Sequence, residues 1–167
     1  LAGSTDYQLV ISRNPALELG KQLKYLVQYP YGCTEQTVSA AFPQLYYDDL
    51  LEQVRGKGVN SGNSSANYNI TEAIKKIKLR QLYNGAITLW DGEGTEHWFA
   101  SVYSAHFLLE AQKAGFEVDK KMMDALLSYT NYKLKNRETI LYYYNGKEQK
   151  KIAPKEVAYS LYVLALA

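Results

Sequence analysis

Apolar residues recur at helical spacing along most of this chain, and glycines and prolines cut the pattern into lengths of one helix each. Residues 16–28 place Leu17, Leu19, Leu23, Leu26 and Val27 on a helix-like stripe. Tyr29-Pro30-Tyr31-Gly32 stops it, because proline disfavours helix in the residue before it and glycine permits a turn. A second helix is expected from Cys33-Thr34 to about Val54, with Thr34 and Glu35 suited to its first turn and Pro43 set to kink or shorten it. Residues 56–69 are rich in Gly, Ser and Asn and are expected to form a loop. Residues 71–82 read as a third helix, and 84–94 as a turn-rich connection carrying Trp90. Thr95 is expected to cap a helix running to Ala114, with Gly115 as its stop. Asp119 should cap another, from Lys120 to about Leu134. Ile140-Leu141-Tyr142-Tyr143-Tyr144 before Asn145-Gly146 has the pattern of one strand of a small hairpin. Pro154 then opens a last helix over residues 155–167.

The expected fold class is therefore all-α, with at most one short β-hairpin within residues 136–151. A weak internal repeat adds to this. Ala100-Ser101-Val102-Tyr103-Ser104-Ala105 shares a small-and-aromatic texture with Ala158-Tyr159-Ser160-Leu161-Tyr162-Val163, 58 residues later. That offset is the length of a helical hairpin plus its loops. Hairpins that cannot bury their faces alone stack into solenoids or closed α/α arrays, although two buried helices can also share a composition.

At 167 residues the chain suits one domain, and a globule of that size buries roughly 70% of its unfolded surface without needing disulfide or metal. A hydrophobic fraction of 47% argues against disorder of the whole chain, and a net charge of +2 is too balanced to indicate nucleic acid. Lys75-Lys76-Ile77-Lys78 and Lys150-Lys151 read as solvated surface, and the tyrosines as core and groove lining rather than a base-stacking platform. The single cysteine rules out an internal disulfide or a paired-cysteine metal site. The two histidines and scattered carboxylates show no zinc-ligand spacing, so neither metal nor cofactor is expected. The chain begins without Met and ends within an apolar helical run, so it is expected to be a piece of something longer.

The stretch that carries chemistry is Tyr29-Pro30-Tyr31-Gly32-Cys33-Thr34-Glu35-Gln36-Thr37. A Cys and a Gln three positions apart face the same side of a turn or of a first helical turn. The Cys33 sulfur can then attack the Gln36 side-chain carbonyl with loss of ammonia, closing a thioester ring. Gly32 allows a sharp turn just before it. Tyr29, Pro30 and Tyr31 offer apolar bulk that could shield the bond from water. A Cys-x-x-Gln pair alone has low specificity, since a buried cysteine near a surface glutamine is the commoner arrangement.

The full nine-residue string resembles the Gly-Cys-x-Glu-Gln thioester signature of the α2-macroglobulin and complement family, most closely in its bacterial form. The likeness continues through residues 38–45, resumes over 86–118 with Trp90-Asp91-Gly92 and Trp98-Phe99-Ala100-Ser101-Val102-Tyr103, and returns over 156–167. The resemblance implies part of an α/α toroid of helical hairpins spanning residues 1–167. It also implies a single-use covalent trap rather than an enzyme, with Cys33 as thiol half, Gln36 as acyl half and Glu35 in support. Further implications are target proteases as captured partners, other domains of a parent chain that cover the bond, and a periplasmic, cell-envelope or extracellular location. Thr34 departs from the vertebrate signature's glycine. No histidine stands in Ile152-Ala153-Pro154-Lys155-Glu156, the region matching the family's downstream histidine, which leaves direct attack by an amine as the expected mode.

Other chemistry remains open on the residues. Cys33 could be the nucleophile of a hydrolase or transglutaminase-like enzyme with His97 or His106 as its base. His97 reads more simply as a helix-end residue and His106 as a partly buried one. Asp48-Asp49 and Glu52 have the spacing of an ordinary solvated face as well as that of paired acids. The domain could also be an unreactive structural helical module. Because Tyr29, Pro30 and Tyr31 cover the bond only in part, the thioester is expected to form poorly or to hydrolyse in this chain on its own.

Overall fold

In the computed structural model, residues 27–47, 49, 64–143 and 149–167 are described. Helix α1 spans Thr34–Ala41, and its buried residues Thr34, Thr37, Val38 and Ala41 form one stripe at helical spacing. Pro43 acts as expected: the chain tightens into a 3-10 helix over Phe42–Tyr46. Helix α2 spans Ser64–Leu79, α3 Trp98–Lys113, α4 Lys120–Lys135 and α5 Lys155–Leu166. Strand β1, Ile140–Tyr143, pairs antiparallel with β2, Gln149–Ile152, with Ile140 opposite Ile152. The fold is mostly helical with one small two-stranded sheet, as the sequence pattern predicts.

Helix α3 is the centre. Ala100, Val102, Ala105, Phe107, Leu108 and Ala111 are fully buried, and α1, α2, α4 and α5 all pack on it. A helix apolar around most of its circumference has to be surrounded. The core joins it to Val38 and Ala41 of α1, Ile70, Ala73 and Ile77 of α2, Met122, Met123 and Leu126 of α4, and Val163 of α5. The two repeated segments lie on α3 and α5 and meet: Trp98 Nε1 donates to Ser160 Oγ at 3.0 Å, and Tyr103 and Tyr159 rings approach to 6.5 Å.

Local signals end the helices. Gly115, at φ +90°, stops α3, with Phe116 N donating to Ala111 O at 3.0 Å. Asp119 Oδ1 caps α4 by accepting from the Lys121 and Met122 amides at 2.8 and 3.2 Å.

Several expectations need correction. Ser64 to Asn69 are helical rather than loop, because Ala66, Asn69 and Ile70 turn inward, and Asn69 Nδ2 finds a buried acceptor in Gln44 Oε1. Helix α2 ends at Leu79 rather than Leu82. Thr95 does not cap α3; His97 does, its Nδ1 accepting from Ala100 N at 3.2 Å. The 16–28 helix lies outside the described residues except for residues 27 and 28, which are not helical. Residues 48, 50–63 and 144–148 also lie outside them, and with these Asp48, Glu52 and the Asn145-Gly146 turn.

Phe107 is fully buried in the core on α3, with its ring edge-on to Phe42 at 5.8 Å. Phe107→Ala should cost about 3–5 kcal/mol of stability, read as a lower midpoint in urea unfolding of the domain followed by circular dichroism.

Candidate functional site

The motif forms a turn that feeds directly into α1. Gly32 adopts φ +92°, a conformation open mainly to glycine, and Cys33 is the N-cap of the helix. Gln36 occupies the third helical position, and its side chain folds back: Cys33 N donates to Gln36 Oε1 at 3.0 Å. This is the returning half of a capping box with cysteine where serine or threonine is usual. Cys33 and Gln36 are therefore brought together at the start of a helix, with Gly32 in the turn before it. A Cβ on Gly32 would stand 2.1 Å from Gln36 Oε1, so the carboxamide fills the space that glycine leaves.

The turn is fixed from beneath. Thr34 N donates to Leu89 O at 2.9 Å, and Thr34 Oγ1 donates to Thr88 O at 2.5 Å. Arg80, just past α2 and only 5% exposed, reaches the same place. Its Nη2 donates to Gly32 O at 3.0 Å, its Nη1 lies 3.3 and 3.4 Å from the Thr37 and Thr34 hydroxyls, and its Nε meets Asp91 Oδ1 at 2.6 Å. The guanidinium holds the Asp91 carboxyl below its usual range. Sequence reasoning missed Arg80, because an arginine at the end of an amphipathic helix has the signature of a solvated residue. The neighbouring Trp90-Asp91-Gly92 string offered the nearest signal.

Tyr29 and Tyr31 sit over the approach to the turn. Their rings lie 4.4 Å apart, and Lys76 Nζ stands 4.4 Å from the Tyr29 ring centroid and 5.3 Å from that of Tyr31. Lys76 also donates to Pro30 O at 2.7 Å, so it is a clamp on this segment rather than plain solvated surface. Pro30 is buried, whereas Tyr31 remains 74% exposed.

The other candidates separate. Glu35 is partly exposed and approaches His97 Nδ1 at 3.9 Å. That nitrogen already accepts the Ala100 amide, and 3.9 Å is beyond hydrogen-bond distance, so the approach is a loose contact. His106 is committed elsewhere: its Nδ1 lies 2.9 Å from Tyr159 Oη, and its ring stands edge-on to Phe42 and Tyr162. Burial lowers its pKa, and burial likewise pushes the Tyr159 hydroxyl up to about 12. Asp49 is exposed. Among the described residues no three of His, Cys, Asp and Glu gather into a metal-binding group.

Gly32→Ala should destabilise the domain by about 1–3 kcal/mol, because it imposes a left-handed backbone on alanine and displaces the Gln36 carboxamide. Gly94 has open space around its Cβ direction. Gly94→Ala should stay within about 0.5 kcal/mol in the same urea titration.

With this geometry in view, similarity to known proteins is informative. The model of the A-macroglobulin TED domain matches residues 7–138. Alpha-2-macroglobulin of Escherichia coli K12 is 37% identical over 112 residues, covering 66% of this chain and 7% of that protein. Alpha-2-macroglobulin of Xylella fastidiosa Temecula1 is 28% identical over 163 residues, covering 97% of this chain and 10% of that protein. Among solved structures, Salmonella alpha-2-macroglobulin reacted with methylamine superposes with a TM-score of 0.66 at 28% identity, over 91% of this chain and 10% of that one. Native E. coli alpha-2-macroglobulin gives 0.65 at 26%, over 90% of this chain and 9% of that one. The chain thus spans a tenth or less of the length of these relatives. A family match across residues 7–138, together with the shared helical fold, means that this chain belongs to the A-macroglobulin TED-domain family.

Proposed function

We propose that Cys33 and Gln36 form an internal thioester, and that the domain is the covalent-capture module of a protease trap. The observation that carries this reading is the Gln36 carboxamide folded back onto the N-cap, with its oxygen on the Cys33 amide at 3.0 Å. The thiol and the carbonyl it would attack then belong to the same tight turn. The sulfur adds to the carboxamide carbon, a sulfur–carbon bond forms, the carbon–nitrogen bond breaks, and the thiol proton leaves with the nitrogen as ammonia. A lysine amine of a captured protease then takes the acyl group from sulfur, leaving an amide on the target and a free Cys33 thiol. The acyl group is consumed, so this is single-use chemistry rather than turnover.

Two relatives support the reading. The Salmonella protein has been solved reacted with methylamine, and the E. coli protein in a trypsin-activated form. Glu35, the acidic residue in the first turn of α1, gives favourable charge to the helix N-terminus. Tyr29, Pro30 and Tyr31 supply partial cover, and the remainder comes from other domains of a longer parent protein. A periplasmic or cell-envelope location fits a trap for proteases arriving from outside.

Intact-mass measurement before and after methylamine tests this on the natural protein that carries the domain. The expected result is a mass short of one ammonia, then a gain of one methylamine and release of one thiol. In the unaltered protein peptide mapping should place the amine on Gln36, and Cys33→Ala should abolish both changes. Repeated turnover of an amine or ester substrate would instead favour a cysteine enzyme with His97 as its base. An unmodified, unreactive protein would favour a purely structural module.

A further inference from the structure

The Gly32–Cys33 peptide unit is held at both ends. Its carbonyl, on Gly32, accepts from Arg80 Nη2 at 3.0 Å. Its N–H, on Cys33, points the opposite way, as in any trans peptide, and donates to Gln36 Oε1 at 3.0 Å. Pinning one end of a planar unit aims the other. The pin is built firmly: Arg80 is buried, its hydrogen bond to the carbonyl is charge-assisted, and Asp91 fixes the guanidinium from the far side at 2.6 Å. The Thr34 and Thr37 hydroxyls occupy a third side.

We infer that the Cys33 backbone N–H is the oxyanion donor for acyl chemistry at Gln36, and that Arg80 is the positioning residue that aims it. This rests on the thioester reading above. When the Cys33 sulfur adds to the Gln36 carbonyl carbon, the electron pair of the carbon–oxygen double bond moves onto Oε1. The negative charge then develops on the atom already facing the Cys33 N–H. Collapse of that adduct expels ammonia. The same oxygen carries the charge again when an amine adds to the thioester, and collapse then expels the thiolate. A donor oriented before reaction costs no reorganisation in either step. The guanidinium on the carbonyl end also polarises the peptide, which makes its N–H a stronger donor. Arg80 therefore acts on both formation and discharge of the bond without touching the reacting atoms.

The test uses the full natural protein carrying Arg80→Lys, Arg80→Met or Asp91→Asn. Asp91 has a 73% exposed side chain, and asparagine keeps an oxygen that can accept from Arg80 Nε, so Asp91→Asn is expected to fold even if Arg80→Met does not. Two quantities are read by intact mass: the share of molecules that have lost ammonia, and the rate at which those molecules take up methylamine. In Arg80→Met the share should fall, and uptake by the remaining thioesters should slow on the order of tenfold. Arg80→Lys should fall between, since an ammonium can reach one partner but cannot span the carbonyl and Asp91 as the planar fork does. Asp91→Asn should slow uptake roughly two- to fivefold. A merely structural role gives the opposite sign, because a loosened domain exposes its thioester and speeds uptake. Faster or unchanged uptake in Arg80→Lys and Asp91→Asn would overturn the inference and leave the thioester reading standing. A wild-type protein that never loses ammonia would overturn both.

Discussion

The contact between the Arg80 guanidinium and the Gly32 carbonyl joins the motif turn to the end of α2. Gly32 is the residue whose left-handed backbone turns the chain into α1. Arg80 sits where α2 gives way to the connection that carries Thr88, Leu89 and Asp91. One side chain thus ties a turn, a helix end and a loop drawn from three separate parts of the sequence. A buried cation is costly unless each of its donors is matched, and here all three nitrogens have partners. Removing a partner would leave charge stranded in the interior, so the motif turn is held by a network that resists partial loosening.

The hydrophobic scaffold makes that network possible. Helix α3 fills the middle, and α1 buries a narrow stripe of Thr34, Thr37, Val38 and Ala41 against α2, α3 and the connection that follows α2. Two of those four residues are threonines whose hydroxyls join the Arg80 network. The core and the polar cluster therefore meet along one short helix, and the position of Cys33 at its start follows from both. Elsewhere along α3, Tyr103 Oη lies 3.2 Å from Ser39 Oγ of α1 and its ring meets that of Tyr159, while His106 has its partner in the Tyr159 hydroxyl.

The Cys-x-x-Gln spacing carries two meanings that the structure joins. Three residues is the separation of a capping box, in which the third helical side chain returns to the N-cap amide. It is also the separation that places a thiol and a carboxamide in one turn. The proposed chemistry thus needs no special strain to assemble its reactants. An ordinary helix-capping arrangement brings the carbonyl to the amide that would stabilise it, and glycine at position 32 clears the space it occupies.

Much was legible in the residues themselves. Helical spacing, Gly115 and Asp119 marked α3 and α4 to within a residue or two, because those signals act within one turn of backbone. The Ile140–Tyr143 strand was visible for the same reason, and so was the proximity of Cys33 and Gln36, which depends only on a three-residue helical register. Residues 64–69 read as loop from the Gly, Ser and Asn texture of 56–69, whereas their helix is stabilised by burying Ala66 and Ile70 and by the Gln44 partner of Asn69, an environment supplied from distant sequence. Capping by His97 rather than Thr95 was likewise set by where α3 meets its neighbours. Arg80 was beyond reach of the sequence alone. A charged side chain at a helix end has no local property that distinguishes solvent from interior. Only the packing of α1 and the 86–91 connection over the end of α2 buries it and gives it the Gly32 carbonyl.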